Sequence, residues 1–139
     1  MVEIEELRRK FDGSSYAVWF GMRIEELSRG YAKVKLDVRR DFLTWDNLVQ
    51  GGVIASLLDQ AFGCAVNTLE NIYVAVQLNI NFLSSAPVGE TIHAEARVVH
   101  AGRTLAVSEM TVVNSKGKII ARATGTSVSV GTRAEQQSP

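Results

Sequence analysis

The chain has 139 residues, of which 46% are hydrophobic, and its 15 basic and 15 acidic residues cancel to a formal net charge of zero. This length fits one domain, and the apolar fraction is sufficient for a core that needs no disulfide. The balanced charge excludes a protein-wide field that would gather nucleic acid or an anionic membrane, while a local basic patch stays possible.

The first third of the chain predicts short elements. A short amphipathic helix is expected over residues 3–11, because its apolar side chains fall on one face, and Asp12-Gly13 ends it. From about residue 18 the period of the apolar residues changes to two, which predicts strands at about 18–27 and 31–39. The second strand alternates apolar and charged residues, so we expect one of its faces to contact solvent.

The segment GGVIASLLDQAFGCAVNTL, which begins at Gly51, is the most informative part of the chain. It is too long for a strand and carries apolar residues nearly all round, a pattern typical of a helix that is buried on most sides. One narrow stripe of small or polar residues interrupts this pattern. The stripe consists of Gly52, Ser56, Asp59, Gln60, Gly63 and Asn67.

Four further strands are predicted after this helix, at about 74–82, 92–98, 104–113 and 118–130. In the first of them the alternation predicts that five apolar residues share one face. These are Val74, Val76, Leu78, Ile80 and Phe82.

The order of elements predicts an α+β fold: a curved antiparallel sheet wrapped around one long central helix, preceded by a short N-terminal helix. We find no internal repeat or linker in the sequence. A single domain is therefore expected over residues 1–139, with its core at about 18–130 and a frayed tail at 131–139.

Three features of the sequence bear on where in the cell the protein is found. The N-terminal residues MVEIEELRRKF are charged and lack the apolar core of a secretory signal. The longest apolar-rich stretch, Val53 to Val66, contains Asp59 and Gln60 and is too short and too polar to span a bilayer. The single cysteine, Cys64, cannot form an intrachain disulfide, which fits a reducing compartment. We expect a cytoplasmic protein that binds neither membranes nor nucleic acid.

Asp59 stands in the middle of the most apolar helix of the chain. An unpaired buried carboxylate is costly, so Asp59 should have a partner, be neutral or face a cleft. Ser56 and Gly63 flank it at helical spacing and would leave room for a ligand. A purely structural hydrogen-bonding role for Asp59 stays equally open.

Gly51-Gly52 stand where this helix should begin. The first N–H groups of a helix have no internal partner, and the helix dipole adds partial positive charge there. A carbonyl oxygen could accept a hydrogen bond from the Gly51 N–H, as in an oxyanion hole. The more ordinary interpretation is a glycine pair needed only for a sharp change of chain direction.

Gly51 and Asp59 cannot act on one carbonyl within a single chain. Eight residues of helix separate them by about 12 Å, whereas reacting groups must approach to roughly 3–3.5 Å. Two copies of the helix running antiparallel across a twofold axis would bring each Asp59 beside the other copy's Gly51. If this pair is catalytic, the protein must be at least a dimer.

The stretch from Gln50-Gly51-Gly52 to Asp59 resembles the HGG-x6-D signature of the hotdog-fold acyl-CoA thioesterases, closest to the phenylacetate-degradation (PaaI-like) branch. Residues 77–83 with Gly89-Glu90 are similar to the strand that follows the helix in that family. The later turns at Gly102-Arg103 and Gly117-Lys118 also match. The resemblance covers about residues 18–130.

This resemblance implies hydrolysis of an acyl- or arylacetyl-CoA thioester. The carboxylate at Asp59 would be general base or nucleophile, the Gly51 N–H would polarise the carbonyl, and CoA would lie along a dimer interface. The only partners implied are the substrate and further copies in a homodimer or homotetramer. Neither a metal nor a cofactor is expected, since the sequence shows no metal-ligand spacing and CoA is part of the substrate.

The sequence also departs from the family pattern. Gln50 replaces the usual histidine, Thr44 replaces a frequent asparagine, and Ala75 replaces a frequent serine or threonine. Gln50 can still donate a hydrogen bond to a carbonyl or to the thioester sulfur, but it cannot carry a charge. We predict Asp59, Gly51 and Gln50 as catalytic residues. The predicted substrate-binding residues are Thr44, Asn47, Gly52, Ser56, Gly63, Ala75 and Arg103.

The sequence leaves two other functions open. A hotdog hydratase generally pairs a histidine with a carboxylate, and no histidine stands near Gln50. A non-catalytic acyl-CoA-binding module is the other alternative, prompted by the missing histidine.

Trp19 and Trp45 could line an acyl or pantetheine tunnel, although ordinary core or interface packing is the simpler interpretation. The acyl group itself stays open.

Overall fold

The computed structural model describes residues 2–136. Helices α1 and α2 open the chain, α3 is the long central helix, and α4 is one terminal turn. Their bounds are Ile4–Asp12, Ser15–Phe20, Gly51–Val66 and Arg133–Gln136, with a 3-10 turn at Arg40–Phe42. Strands β1 to β6 span Arg23–Ser28, Tyr31–Asp37, Asn71–Phe82, Thr91–Ala101, Leu105–Asn114 and Ile119–Thr132.

The six strands form one antiparallel sheet in the order β1-β2-β4-β5-β6-β3. Helix α3 contacts all six strands, so the sheet wraps around it. The apolar residues of α3 fill the core because nearly every side of the helix meets the sheet. They are Val53, Ile54, Leu57, Leu58, Ala61, Phe62, Cys64, Ala65 and Val66. The predicted α+β arrangement around one central helix is confirmed.

The prediction that the first strand starts at residue 18 is wrong. Residues 15–20 form α2, and β1 begins only at Arg23. The helix is bounded by Ser14, with extended backbone, and by Gly21, whose φ of 81° is the left-handed conformation that ends many helices. Six residues give too short a stretch for the helical period to stand out from a strand pattern.

The prediction that the apolar residues of β3 share one face is also wrong. The register with β6 shifts between Ala75 and Gln77, so this strand carries a β-bulge at Val76. A bulge inserts one residue and reverses the alternation beyond it. Leu78 and Ile80 are half-buried against the core, whereas Val74 lies before the bulge and is exposed.

The tail is ordered as far as it is described. Strand β6 continues to Thr132, and Arg133 donates hydrogen bonds to the carbonyl oxygens of Asn67, at 2.6 Å, and Leu69, at 3.4 Å. These bonds join α4 to the C-terminal end of α3. The prediction of fraying is therefore wrong for residues 131–136, and residues 137–139 lie outside the described residues.

Strand β3 runs alongside α3 in the opposite direction. At the N-terminal end of the helix, a Cβ built on Gly51 would lie 3.6 Å from the Phe82 ring. At the C-terminal end, Asn67 bonds Tyr73 through both functional atoms of its amide, with Nδ2 donating to the carbonyl at 3.2 Å and Oδ1 accepting from the N–H at 3.0 Å. The edge strand of the sheet is thus held against both ends of the helix.

Candidate active site

Helix α3 begins at Gly51 with its N-terminus accessible. Gln50 takes the extended conformation that precedes a helix, with φ −60° and ψ 133°, and its side chain makes no capping hydrogen bond. Within residues 2–136 the Gly51 N–H has no hydrogen-bond partner. An unpaired N–H at the positive end of a helix dipole can donate to an incoming carbonyl oxygen.

Asp59 lies two turns further along α3, on the side that the sheet leaves uncovered. Its carboxylate is accessible, but the protein atoms around it partly desolvate the group, and this burial raises the pKa of Asp59 above its usual value. Desolvation disfavours the charged form of a carboxylate and so makes it a stronger base. A carboxylate with a raised pKa is a better proton acceptor than an ordinary carboxylate, as a general base requires.

The predicted small and polar stripe is the uncovered side of α3. Ser56 is half-buried and Gly52 is exposed, while a Cβ added at Gly63 would meet nothing within 4 Å. These residues leave open space beside Asp59 along the helix. The stripe therefore provides room for a ligand or for another protein chain.

Tyr16 is a neighbour of this stripe that the sequence did not indicate. Its hydroxyl lies 2.7 Å from Ser56 Oγ, and this hydrogen bond joins α2 to α3 one turn before Asp59. The pair is separated by 40 residues in sequence. A signal was present in Ser14 and Gly21, which are typical residues at the two ends of a helix.

Thr44 and Asn47 lie in the loop that leads into α3. Thr44 Oγ1 accepts hydrogen bonds from the N–H groups of Asp46, at 3.2 Å, and Leu48, at 3.4 Å. Asn47 is exposed and has a positive φ of 61°, a conformation that asparagine tolerates better than most residues. The Thr44 oxygen is thus engaged in shaping the loop, while its hydroxyl proton is available for donation.

Two predicted substrate-binding residues lie far from the helix start of the same chain. Ala75 is exposed beside the bulge of β3, and Arg103 is exposed in the turn between β4 and β5. That turn adjoins Leu105, which is linked through Val128 to Val74 at the beginning of β3. Phe82, whose ring lies near Gly51, is eight residues beyond Val74 along this strand, or about 27 Å. The fold of one chain therefore does not bring these two residues to Gly51.

Sequence comparisons identify the family. Residues 47–121 match the Thioesterase superfamily, which is more than half of the chain. A putative esterase of Archaeoglobus fulgidus is 40% identical over 104 residues, covering 75% of this chain and 68% of that protein. This chain belongs to the thioesterase superfamily. The prediction of a thioester hydrolase is confirmed at the level of the superfamily.

Within the thioesterase superfamily, the chain is similar to the Escherichia coli acyl-coenzyme A thioesterase PaaI, at 31% identity over 121 residues, covering 87% of this chain and 86% of that protein. The solved structure of that PaaI protein superposes with a TM-score of 0.88 at 29% identity and covers 92% and 93% of the two chains. The predicted hotdog fold and PaaI-like branch are confirmed. A Streptococcus mutans protein bound to acetyl CoA is also similar, with a TM-score of 0.78, 31% identity, and 81% and 90% of the chains covered.

Neither a membrane-spanning helix nor a metal-binding cluster is found within residues 2–136. In this part of the chain, no helix has the length and apolarity needed to cross a membrane. The same residues contain no group of three or more His, Cys, Asp or Glu side chains that could hold a metal ion.

Proposed function

We propose that this member of the thioesterase superfamily hydrolyses the thioester of an acyl-CoA to a free acid and CoA, using a site formed by two copies of the chain. The similarity to an acyl-coenzyme A thioesterase and to a protein bound to acetyl CoA supports this substrate class. Asp59 would be the general base or nucleophile, and the Gly51 N–H would bind the carbonyl oxygen.

The observation that carries this proposal is that one helix has an unpaired N–H at its start, at Gly51, and a carboxylate on its uncovered side, at Asp59. Both groups are available to a ligand, yet the helix holds them about 12 Å apart. A second copy of α3, antiparallel to the first across a twofold axis, would pair each Asp59 with the partner's Gly51. One symmetric contact would then create two equivalent sites.

The edge strand β3 supports a second copy of this chain as the partner. It has 12 residues and exposes Val74, Val76 and Phe82, followed by an exposed Leu83. Proteins normally protect a long apolar edge strand, because its free N–H and C=O groups can pair with another strand. Two β3 strands paired antiparallel would cover these side chains and would continue the sheet between the copies.

In the antiparallel pair, the beginning of one β3 strand would approach the end of the other. The partner's Ala75 and Arg103 would then move toward Gly51, from which they are distant within one chain. A dimer therefore also accounts for the predicted roles of these two residues, which the fold of a single chain leaves unexplained. Arg103 would be available to the phosphate groups of CoA.

Asp59 could drive hydrolysis of the thioester by either of two routes. As a base, Asp59 would take a proton from a water molecule whose oxygen attacks the carbonyl carbon. As a nucleophile, it would attack that carbon itself and form an anhydride that water then opens. In both cases the C–S bond breaks, the CoA sulfur leaves as a thiolate that acquires a proton, and the Gly51 N–H stabilises the negative charge on the carbonyl oxygen.

Within one protomer, both histidines lie away from the start of α3. His93 and His100 both lie on β4, and His93 Nδ1 is 2.9 Å from a carboxylate oxygen of Glu25. Neither belongs to α3 or to the loop before it. Hydration requires two proton transfers, for which a histidine beside the carboxylate is the usual arrangement.

The test is a thiol-release assay over a panel of acyl-CoAs with the wild type and Asp59→Asn. We expect the variant to lose about 10²-fold or more in kcat, the range typical for removal of a general base. Glu109→Gln is the matched control, because Glu109 is an exposed carboxylate on the opposite face of the sheet, and its turnover should equal that of the wild type. Undiminished turnover of Asp59→Asn would refute the proposed role. Tight binding of acyl-CoA without hydrolysis by the wild type would favour a non-catalytic binding protein.

A further inference from the structure

A cavity of about 290 Å³ opens next to Gln50, the residue that precedes the proposed carbonyl-binding N–H. Its volume is near the lower limit of ordinary small-molecule sites, so it would hold part of an acyl-CoA and exclude the rest. The cavity is formed by α2, the 3-10 turn, the loop after it and the first turn of α3. Its lining consists of Trp19, Phe20, Arg39, Asp41, Phe42, Leu43, Gln50 and Val53.

Three aromatic rings form one wall of this cavity. Phe20 stacks on Phe42 with ring centroids 5.2 Å apart, and Trp19 meets Phe20 edge-on at the same distance. Phe20 and Phe42 are buried, but Trp19 is 69% exposed. Packing inside the core of the protomer therefore does not explain the position of the indole. Its exposed area is available to a ligand.

The charged residues of the cavity are already paired. The Arg39 Nε donates to Asp41 at 3.1 Å, one terminal nitrogen donates to the carbonyl oxygens of Trp19 and Phe20, and the guanidinium lies 4.2 Å from the centroid of the Phe42 ring. The pair carries no net charge, so it gives an anionic ligand little attraction. A phosphate of CoA or a carboxylate at the end of an acyl chain would also meet the exposed Asp41 carboxylate.

The cavity also lies in the right place relative to the proposed reaction. Gln50 and Val53 line it, and Gly51 lies between them at the helix start. The acyl chain of a thioester whose carbonyl oxygen accepts from the Gly51 N–H would therefore begin beside residues that line the cavity. The CoA portion of the bound substrate would extend away from the cavity.

We infer that this cavity holds the acyl chain of the substrate, that it selects uncharged, apolar acyl groups, and that Trp19 is a specificity-determining residue. The inference rests on the proposed function, because the acyl chain reaches the cavity only if the carbonyl lies at Gly51. Contact between the chain and the indole removes apolar area from water, which favours chains long enough to reach it. An acetyl group is too short to make this contact.

The test compares kcat/KM for octanoyl-CoA and acetyl-CoA in the wild type, Trp19→Ala, Trp19→Phe and Val18→Ala. The octanoyl-to-acetyl ratio should fall about tenfold in Trp19→Ala, within the range that one or two methylene contacts supply in specificity pockets. Trp19→Phe should recover most of the ratio. Val18→Ala is the matched control, because Val18 is 64% exposed on the same helix but does not line the cavity, and its ratio should not change. Equal ratios in Trp19→Ala and the wild type would overturn the inference.

Binding measurements separate this inference from the proposed function. The octyl thioether of CoA cannot be hydrolysed, and it should bind the wild type more tightly than CoA does. This gain should be lost in Trp19→Ala and kept in Val18→Ala, even if no acyl-CoA is hydrolysed. An unchanged gain in Trp19→Ala, or a preference of the wild type for succinyl-CoA over butanoyl-CoA in the thiol-release assay, would contradict an uncharged acyl pocket bounded by Trp19.

Discussion

The phenol hydroxyl of Tyr16 and the hydroxyl of Ser56 lie 2.7 Å apart and join the short helix α2 to the central helix α3. The bond connects the helix that carries Trp19 to the stripe that carries Asp59. Tyr16→Phe should lower the free energy of unfolding by roughly 0.5 kcal/mol, the lower end for a hydrogen bond between neutral groups, because the pair is partly hydrated. Urea denaturation followed by circular dichroism measures this loss.

A double-mutant cycle is the control for the Tyr16 prediction. Ser56→Ala alone should cost a similar amount, and the double variant should cost little more than either single change, because one shared bond is lost in all three. Losses that simply add would mean that the two hydroxyls do not stabilise each other.

Asn67 should be among the most sensitive polar residues of the fold. Its Nδ2 donates to the carbonyl oxygens of Gly63 and Tyr73, and its Oδ1 accepts from the Tyr73 N–H. Asn67→Ala should lower the free energy of unfolding by roughly 2 kcal/mol, since three hydrogen bonds to backbone groups are lost. Asn79→Ala, on the exposed face of β3, should change it by less than about 0.5 kcal/mol. Equal effects of the two substitutions in urea denaturation would refute this prediction.

Gly125 is required for close approach of β6 to α3. A Cβ at this position would lie 2.7 Å from Phe62 Cε2 and 3.1 Å from Met110 Cε, and the Phe62 side chain is almost fully buried. Gly125→Ala should cost roughly 1–3 kcal/mol of stability, as overpacking of a core usually does. In a Phe62→Leu background the same change should cost clearly less, as measured by thermal or urea unfolding. An equal cost in both backgrounds would show that the Phe62 ring is not the obstacle.

The raised pKa of Asp59 has a consequence for stability. As pH rises, the unfolded chain loses this proton before the folded chain does, so ionisation favours unfolding above the ordinary pKa of an aspartate. Asp59→Asn should therefore be more stable than the wild type at neutral pH. The difference should shrink as the pH falls through the raised pKa toward the ordinary value. Urea denaturation at pH 7 and pH 4 tests this, and a less stable variant at pH 7 would contradict it.

The central helix could be predicted from the sequence because its signals are local. Helix α3 is apolar on all sides except for the stripe that contains Ser56 and Asp59. It must therefore be buried in most directions, and a surrounding sheet provides that burial. Gly51 at the helix start and Asp59 within it follow from the same segment. The fold class, and the positions of Gly51 and Asp59 on α3, were therefore accessible before the structure.

Other features depend on contacts between distant residues. The bulge at Val76 becomes visible only in the register of β3 with β6, so the alternation of β3 alone gave the wrong face for Val74. The bond between Tyr16 and Ser56 depends on α2, whose six residues are too few for a reliable helical period. The exposure of Trp19 likewise follows from how α2 packs, which no local pattern encodes.

The central claim is that Asp59 of one copy works with Gly51 of another, and mixing two inactive variants tests it. Asp59→Asn removes the base, and Gly51→Pro removes the N–H. Proline is tolerated at the first position of a helix, and the extended backbone of Gln50 suits a following proline. Gly51→Ala keeps the N–H and serves as the control, since its Cβ would make only ordinary contacts with Phe82.

The most direct measurement is thiol release from an acyl-CoA by the two variants after they are unfolded together and refolded as mixed dimers. Each variant alone should be inactive, while Gly51→Ala stays active. Half of the randomly mixed dimers would contain one intact site of two, so the mixture should regain about a quarter of the wild-type activity. A mixture that is shown to form mixed dimers but stays inactive, or a fully active monomeric wild type, would contradict the shared site.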